Sequence, residues 1–176
     1  MSTIRCNTNE LSTVIKTLKA RDRVLLSGVV YTARDAAHKR MVQEIKEDKK
    51  PPFDLCGATI YYAGPTPKKA NLAIGSCGPT TSGRMDKFPP FLLDNGLICM
   101  IGKGPRNREV IDAIKKNNAI YLCAIGGAGA LACKCIRSAE VIAYDDLGCE
   151  SVKKLELCDF PLIVGIDSEG VSIFND

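Results

Sequence analysis

The sequence predicts an α/β fold with a largely parallel sheet covered by helices. Apolar runs and amphipathic stretches alternate in a β-α-β-α-β order between residues 97 and 146. The runs are apolar throughout, as in strands buried on both faces. Their ends open into polar, glycine-rich loops, where ligands of open parallel sheets gather. No repeat, linker or low-complexity segment interrupts the chain, so a single domain over residues 1–176 is expected.

The first stretch, MSTIRCNTNELSTVIKTL, is polar and amphipathic, without the apolar centre of a signal peptide. With no run of about 18 apolar residues, the expectation is a cytoplasmic protein. DRVLLSGVVYTARD (22–35) begins as a strand broken by Gly28. AAHKRMVQEIKED (36–48) has helical spacing, with Ala37, Met41 and Ile45 on one side, and Pro51 and Pro52 beyond its end. ATIYYAGP (58–65) is strand-like, TPKKA a polar turn, and NLAIGSCGP (71–79) a second short strand. FPPFLLDNG predicts a short helix capped by Gly96, and LICMIGKG (97–104) a buried strand. PRNREVIDAIKKNN (105–118) predicts an amphipathic helix with Pro105 in its first turn. AIYLCAIGG (119–127) follows as a strand, AGALACKCIRSA as a helix and EVIAYDD as a strand. The tail from Val152 reads as strand, proline turn, strand, Asp-Ser-Glu-Gly hairpin and strand.

Composition narrows the function. Hydrophobic content of 45% and charged content of 25% are ordinary for a globular protein. The net charge of +4 is mild, and the one dense charge run, Lys46 to Lys50, contains its own acids. With no Trp and no RNA- or DNA-binding motif, nucleic acid is set aside. The nine cysteines are odd in number, several lie in apolar runs, and none forms a C-x2-C pair. They read as reduced thiols serving as small hydrophobes. With a single histidine besides, the sequence by itself encodes no metal site.

Chemistry is expected in the loops after the strands. Arg34 and Asp35 lie in YTARD, Thr80, Thr81 and Arg84 in GPTTSGRMD, and Lys103 in GKGPRN; GGAGA opens a helix. Two arginines, a lysine and backbone N–H groups freed by glycines make an anion site. Paired guanidiniums suit a dicarboxylate; phosphate is the rival, although neither the P-loop nor the dinucleotide fingerprint is matched. Structural alternatives stand beside these roles. Arg34 can be a surface side chain, and Thr80 or Thr81, the latter with more reason, can cap a helix starting near Ser82. Asp86 and Lys87 read as a surface pair or as support for Arg84. His38, one turn after Arg34, either packs or reaches the site.

In this order, TARDAAHKR, YYAGPTP, IGSCGPTTSGRMDKF, IGKGPRN, AIGGAGAL and AYDDLGCES resemble the β subunit of class I (iron–sulfur) fumarases and L-tartrate dehydratases. The resemblance covers nearly the whole chain, and GPTTSGRMD is particular to that family. It implies a three-layer swivelling β/β/α domain with a largely parallel sheet. It also implies a hydro-lyase, the β subunit of an enzyme hydrating fumarate reversibly to L-malate. The alternatives are L-tartrate dehydration and a non-catalytic dicarboxylate- or anion-binding module. A [4Fe–4S] cluster is implied on a partner α subunit, in an α2β2 heterotetramer, with none bound by this chain. Alone, the chain would then expose an apolar face or self-associate. By position, Arg34 and Arg84 match the family's substrate-carboxylate arginines and Lys103 its substrate-binding lysine. Thr80 matches the residue that exchanges the substrate's C3 proton. Cys77 is expected to pack, and Asn107, where the family often has Ser, to affect helix capping.

Overall fold

A computed structural model describes residues 3–68, 70–124 and 129–174. Strand β1 (Thr3–Asn7) lies parallel to β2 (Arg23–Thr32), with the short helix α1 (Leu11–Val14) between them in sequence. Helix α2 (Asp35–Lys46) leads to β3 (Thr59–Tyr61), and α3 (Pro89–Asp94) precedes β4 (Cys99–Gly102). Helix α4 (Arg108–Lys116), β5 (Ile120–Ala124), α5 (Gly129–Lys134), β6 (Ile136–Ala143) and β7 (Val152–Ile166) complete the chain. β2, β3, β4 and β5 pair in parallel, in register from Thr32 through Tyr61 and Ile101 to Leu122.

The largely parallel three-layer arrangement is not what forms. β7 runs antiparallel along nearly all of β2, from Lys154 opposite Tyr31 to Ile163 opposite Arg23. Its second half also pairs antiparallel with β5, and its first half with β6. The strands β2, β3, β4, β5 and β7 therefore close into a five-stranded mixed barrel whose most extensive pairings are antiparallel. The reason lies at Pro161, read from sequence as a turn. The chain passes straight through it, with Pro161 opposite Leu25. The irregularity falls two residues earlier instead: Asp159 has φ 48°, its N–H donates to Ser27 Oγ at 2.9 Å, and the register shifts between Leu26 and Gly28. A strand of 15 residues spans about 50 Å at roughly 3.4 Å per residue. That is long enough to serve two sets of neighbours.

Closure explains the apolar runs. Tyr61, Cys99, Ile101, Ile120, Leu122, Leu155 and Leu162 share one core, which α1 joins through Leu11. The alternate residues Ile60, Tyr62, Met100 and Tyr121 meet Met41 of α2, Leu92 of α3 and Ile114 of α4 in a second core. Each of these strands is thus buried on both faces. Smaller departures follow. Residues 71–79 form no strand, only a bridge from Pro79 to Ala63. α5 stops at Lys134, so β6 begins four residues before the predicted strand at 140. α4 starts after Asn107 rather than at Pro105. The predicted strand 119–127 is β5 up to Ala124; its last three residues, with most of the GGAGA loop, lie outside the described residues. The hairpin at 167–170 does form, with Asp167 Oδ1 accepting from the N–H groups of Glu169 and Val171.

Candidate functional site

Parallel register puts the carboxyl ends of β2, β3 and β4 side by side, and the polar loops leave from that end. Arg34 stands two residues past β2, at the N-cap of α2. Lys103 is the first residue past β4. The segment 79–86 lies across these ends: Thr80 N–H donates to Tyr62 O at 2.7 Å, just beyond β3. Ser82 N–H donates to Lys103 O at 2.9 Å, and Lys103 N–H to Ser82 Oγ at 3.0 Å. Gly102 permits this approach, because a Cβ there would lie 1.9 Å from Ser82 Oγ. Residues 82–85 then form a 3-10 turn. Thr81 occupies its N-cap position but makes no side-chain capping bond.

Both arginines are held by acids. Arg84 Nη2 lies 2.9 Å from Asp35 Oδ2, in ion-pair reach but without hydrogen-bond alignment. Arg34 Nε is 3.9 Å from Glu150 Oε1, inside ion-pair reach and beyond a hydrogen bond. Gly64 makes room for Arg34, since a Cβ there would come within 2.5 Å of Nη1. Glu150 is delivered by the AYDDLGCES segment, which docks along α2. Tyr144 OH donates to Glu44, the Arg40 guanidinium grips Asp146 through two bonds of 2.7 Å, and Glu150 faces Arg34 at the helix start. Neither Glu150 nor the pairing role of Asp35 was assigned from sequence, although the motif carrying Glu150 was already conspicuous.

The unmet polar groups converge here. Among the described residues, five buried side-chain nitrogen or oxygen atoms lack a hydrogen-bond partner: Arg34 Nε, Asp35 Oδ2, His38 Nε2, Glu150 Oε1 and Thr59 Oγ1. Four of the five belong to the first turn of α2 and the acid facing it. Buried polar atoms are ordinarily satisfied, so this concentration at one helix start is unusual.

The neighbouring side chains turn out to be scaffold. His38 is fully buried, stacked near Phe88 and edge-on to Tyr62. Its Nδ1 donates to Arg34 O at 2.8 Å, and its own N–H donates to the same carbonyl at 2.9 Å. Burial, opposed by that bond and assisted by Arg106, lowers its pKa to about 4, so the ring is neutral and braces the Arg34 turn. Asp86 is no surface group and does not pair with Arg84. It is buried against Arg106, whose Nε donates to Asp86 Oδ1 at 2.7 Å, while Asn107 N–H donates to Oδ2 at 2.7 Å. The Arg106 guanidinium lies over the rings of Tyr62 and Tyr121. Asn107 caps α4 through Val110 N–H at 2.9 Å. Cys77 is buried, and burial pushes its thiol up to about 12. Among the described residues, no three His, Cys, Asp or Glu side chains are grouped to hold a metal.

Comparison with known proteins gives a family and relatives. The family described as "Fumarase C-terminus" matches residues 1–176. A Methanocaldococcus jannaschii protein named as a candidate L(+)-tartrate dehydratase subunit beta is 39% identical over 168 residues, covering 92% of this chain and 86% of that protein. The anaerobic class I fumarate hydratase of Escherichia coli strain K12 is 39% identical over 155 residues, 87% of this chain and 28% of that protein. Fumarate hydratase 2 of Leishmania major is 37% identical over 155 residues, 87% of this chain and 27% of its own length. The chain thus spans less than a third of the fumarate hydratases it matches.

Proposed function

The chain belongs to the fumarase C-terminus family, and from that premise we propose that it is the dicarboxylate-binding and proton-transferring half of a hydro-lyase completed by a partner subunit. The reaction is the reversible hydration of fumarate to L-malate. The convergence around Arg34 of buried polar atoms without hydrogen bonds, beside a second acid-held arginine, is the observation that supports it most. In this reading Arg34 and Arg84 bind the substrate carboxylates, each oriented from behind by an acid, and Lys103 adds a third cation between glycines.

Thr80 exchanges the proton at the carbon beside a carboxylate. An alkyl hydroxyl is a poor base; neighbouring cations and the acidity conferred by a bound carboxylate bring the transfer within its reach. Thr80 is half-buried, held by its N–H to Tyr62 O, and its hydroxyl makes no bond among the described residues. In this reading a [4Fe–4S] cluster belongs to the partner α subunit, and no step of the chain's own chemistry is routed through it.

L-tartrate is the second substrate reading. A relative of which this chain covers 86% carries that name. The test is anaerobic hydration of fumarate by this chain alone and with a cluster-bearing partner after iron–sulfur reconstitution, with tartrate run in parallel. Turnover in the mixture alone is expected. A stable complex with an intact cluster that turns over neither substrate would overturn the proposal.

A further inference from the structure

Away from the loop cluster, the hairpin of β6 and β7 brings two cysteines together. Ile136 and Leu157 are opposite each other and buried. Their neighbours Cys135, in the turn before β6 and packed against the core that holds Ile136 and Leu157, and Cys158 are both partly exposed. Cys158 N–H donates to Cys135 O at 2.8 Å, which locks the two residues across the ladder. Cys135 N–H donates instead to Ala132 O at 3.0 Å; residues directly opposite across an antiparallel pair have Cα atoms about 4.5–5.5 Å apart, inside the roughly 4.4–6.8 Å that a disulfide spans. A bulge between Ile136 and Ser138 frees Arg137, whose Nη2 donates to Cys158 Sγ at 2.8 Å. Of the two sulfurs, only that of Cys158 has such a donor among the described residues. Burial and then Cys158 itself raise the neighbouring Cys135 thiol, which is consistent with their proximity.

The other thiols lack this combination. Cys6, Cys77, Cys99 and Cys133 are buried, and Cys56 and Cys149 are exposed and far apart in sequence, Cys149 in a 3-10 segment over residues 145–150. Cys123 is partly buried on β5, where burial pushes its thiol up to about 11.

We propose that Cys158 and Cys135 form a peroxide-sensitive dithiol that closes to a cross-strand disulfide. The Cys158 thiolate attacks hydrogen peroxide: an S–O bond forms, the O–O bond breaks, and the departing hydroxide takes up a proton as water. Cys135 then attacks the sulfenic sulfur of Cys158. The S–S bond forms, the S–O bond breaks, and the hydroxide leaves as water with the proton of Cys135. Two thiols and one peroxide give one disulfide and two waters, and the two electrons lost by sulfur reduce the peroxide. The bond would tie the end of α5 to β7. The first residue of that helix, Gly129, accepts from Cys77 N–H at 3.2 Å, in the segment that runs into Thr80.

The test is peptide mapping of the reduced full chain after stoichiometric hydrogen peroxide and alkylation of the remaining thiols. A Cys135–Cys158 link that dithiothreitol reverses is expected to appear before any other oxidation. Cys135→Ser should leave Cys158 as a sulfenic acid trapped by dimedone, and Arg137→Gln should slow oxidation several-fold. If a variant fails to fold, wild-type mapping still decides. A first link through Cys133, or oxidation beginning at Cys56 or Cys149 while Cys135 and Cys158 stay reduced, would overturn the proposal.

Discussion

Two arginine–aspartate pairs lie in the same group of loops and differ in nearly every physical respect. Arg106 and Asp86 have side chains 0% and 9% exposed, their charges aligned at 2.7 Å. Asp86's second oxygen is used by Asn107 N–H, and the guanidinium is sandwiched toward Tyr62 and Tyr121. Arg84 and Asp35 are 55% and 37% exposed, close but misaligned, with Asp35 Oδ2 left without a hydrogen bond. A fully satisfied buried pair fixes where the loops run. A loose exposed pair costs little to rearrange when a carboxylate arrives. Identical residue types thus differ in whether their hydrogen-bonding capacity is used up, and the proposed site falls on the pair with capacity to spare.

The comparison breaks first at Arg106. Arg106→Ala strands a buried carboxylate and should cost about 3–5 kcal/mol, read as a shift in the denaturant midpoint. Arg84→Ala removes an exposed partner and should cost no more than about 1 kcal/mol. Equal losses would erase the distinction. Thr80→Ala comes next. In the assembled enzyme it should lower kcat on the order of 100- to 10,000-fold with KM little changed, because a proton is lost rather than a carboxylate contact. Parallel loss of kcat and affinity would return Thr80 to the scaffold.

His38 sharpens the boundary, because it touches Arg34 yet is wholly buried. Its folded pKa of about 4 is depressed below the ordinary value near 6.5. The unfolded chain therefore binds the proton first. Stability is complete above pH 6.5 or so and falls as pH drops toward 4, by at most about 1.4 kcal/mol per pH unit. His38→Asn should flatten that slope in urea titrations taken across the window. If the slope is the same in both proteins, the ring is already charged in the fold.

The placement of these loops was partly legible in the sequence, and what was not has identifiable causes. The loop after β4 could be read because Lys103, between glycines, has little packing purpose, and Arg34 and Lys103 do leave from one end of the barrel. Asp86 was misread because proximity in sequence favours Arg84, whereas its partner Arg106 arrives from beyond β4. Closure of the barrel was missed for a backbone reason. Proline in a strand usually means a turn, and nothing local reveals that Asp159 takes up the irregularity and lets β7 continue. Whether Thr80 and Thr81 cap a helix could not be decided locally, since it depends on Tyr62 and Lys103 from other strands.

Glu150 is the smallest and most discriminating case. It faces Arg34 across 3.9 Å, and both facing atoms are buried and unbonded. It reaches that place through a segment anchored on α2 by Tyr144 and Asp146 rather than by its own contact. Its removal should therefore leave the fold almost untouched, within about 1 kcal/mol. If its work is to aim the guanidinium, Glu150→Gln should raise KM by about 10-fold, or 1.4 kcal/mol, through weaker carboxylate binding, and change kcat much less. Glu150→Asp keeps the charge but shortens the reach, and should fall between the two. A KM that follows stability instead, or one indifferent to the charge at 150, would make this pair a second Arg106–Asp86: a strut that happens to lie beside the site.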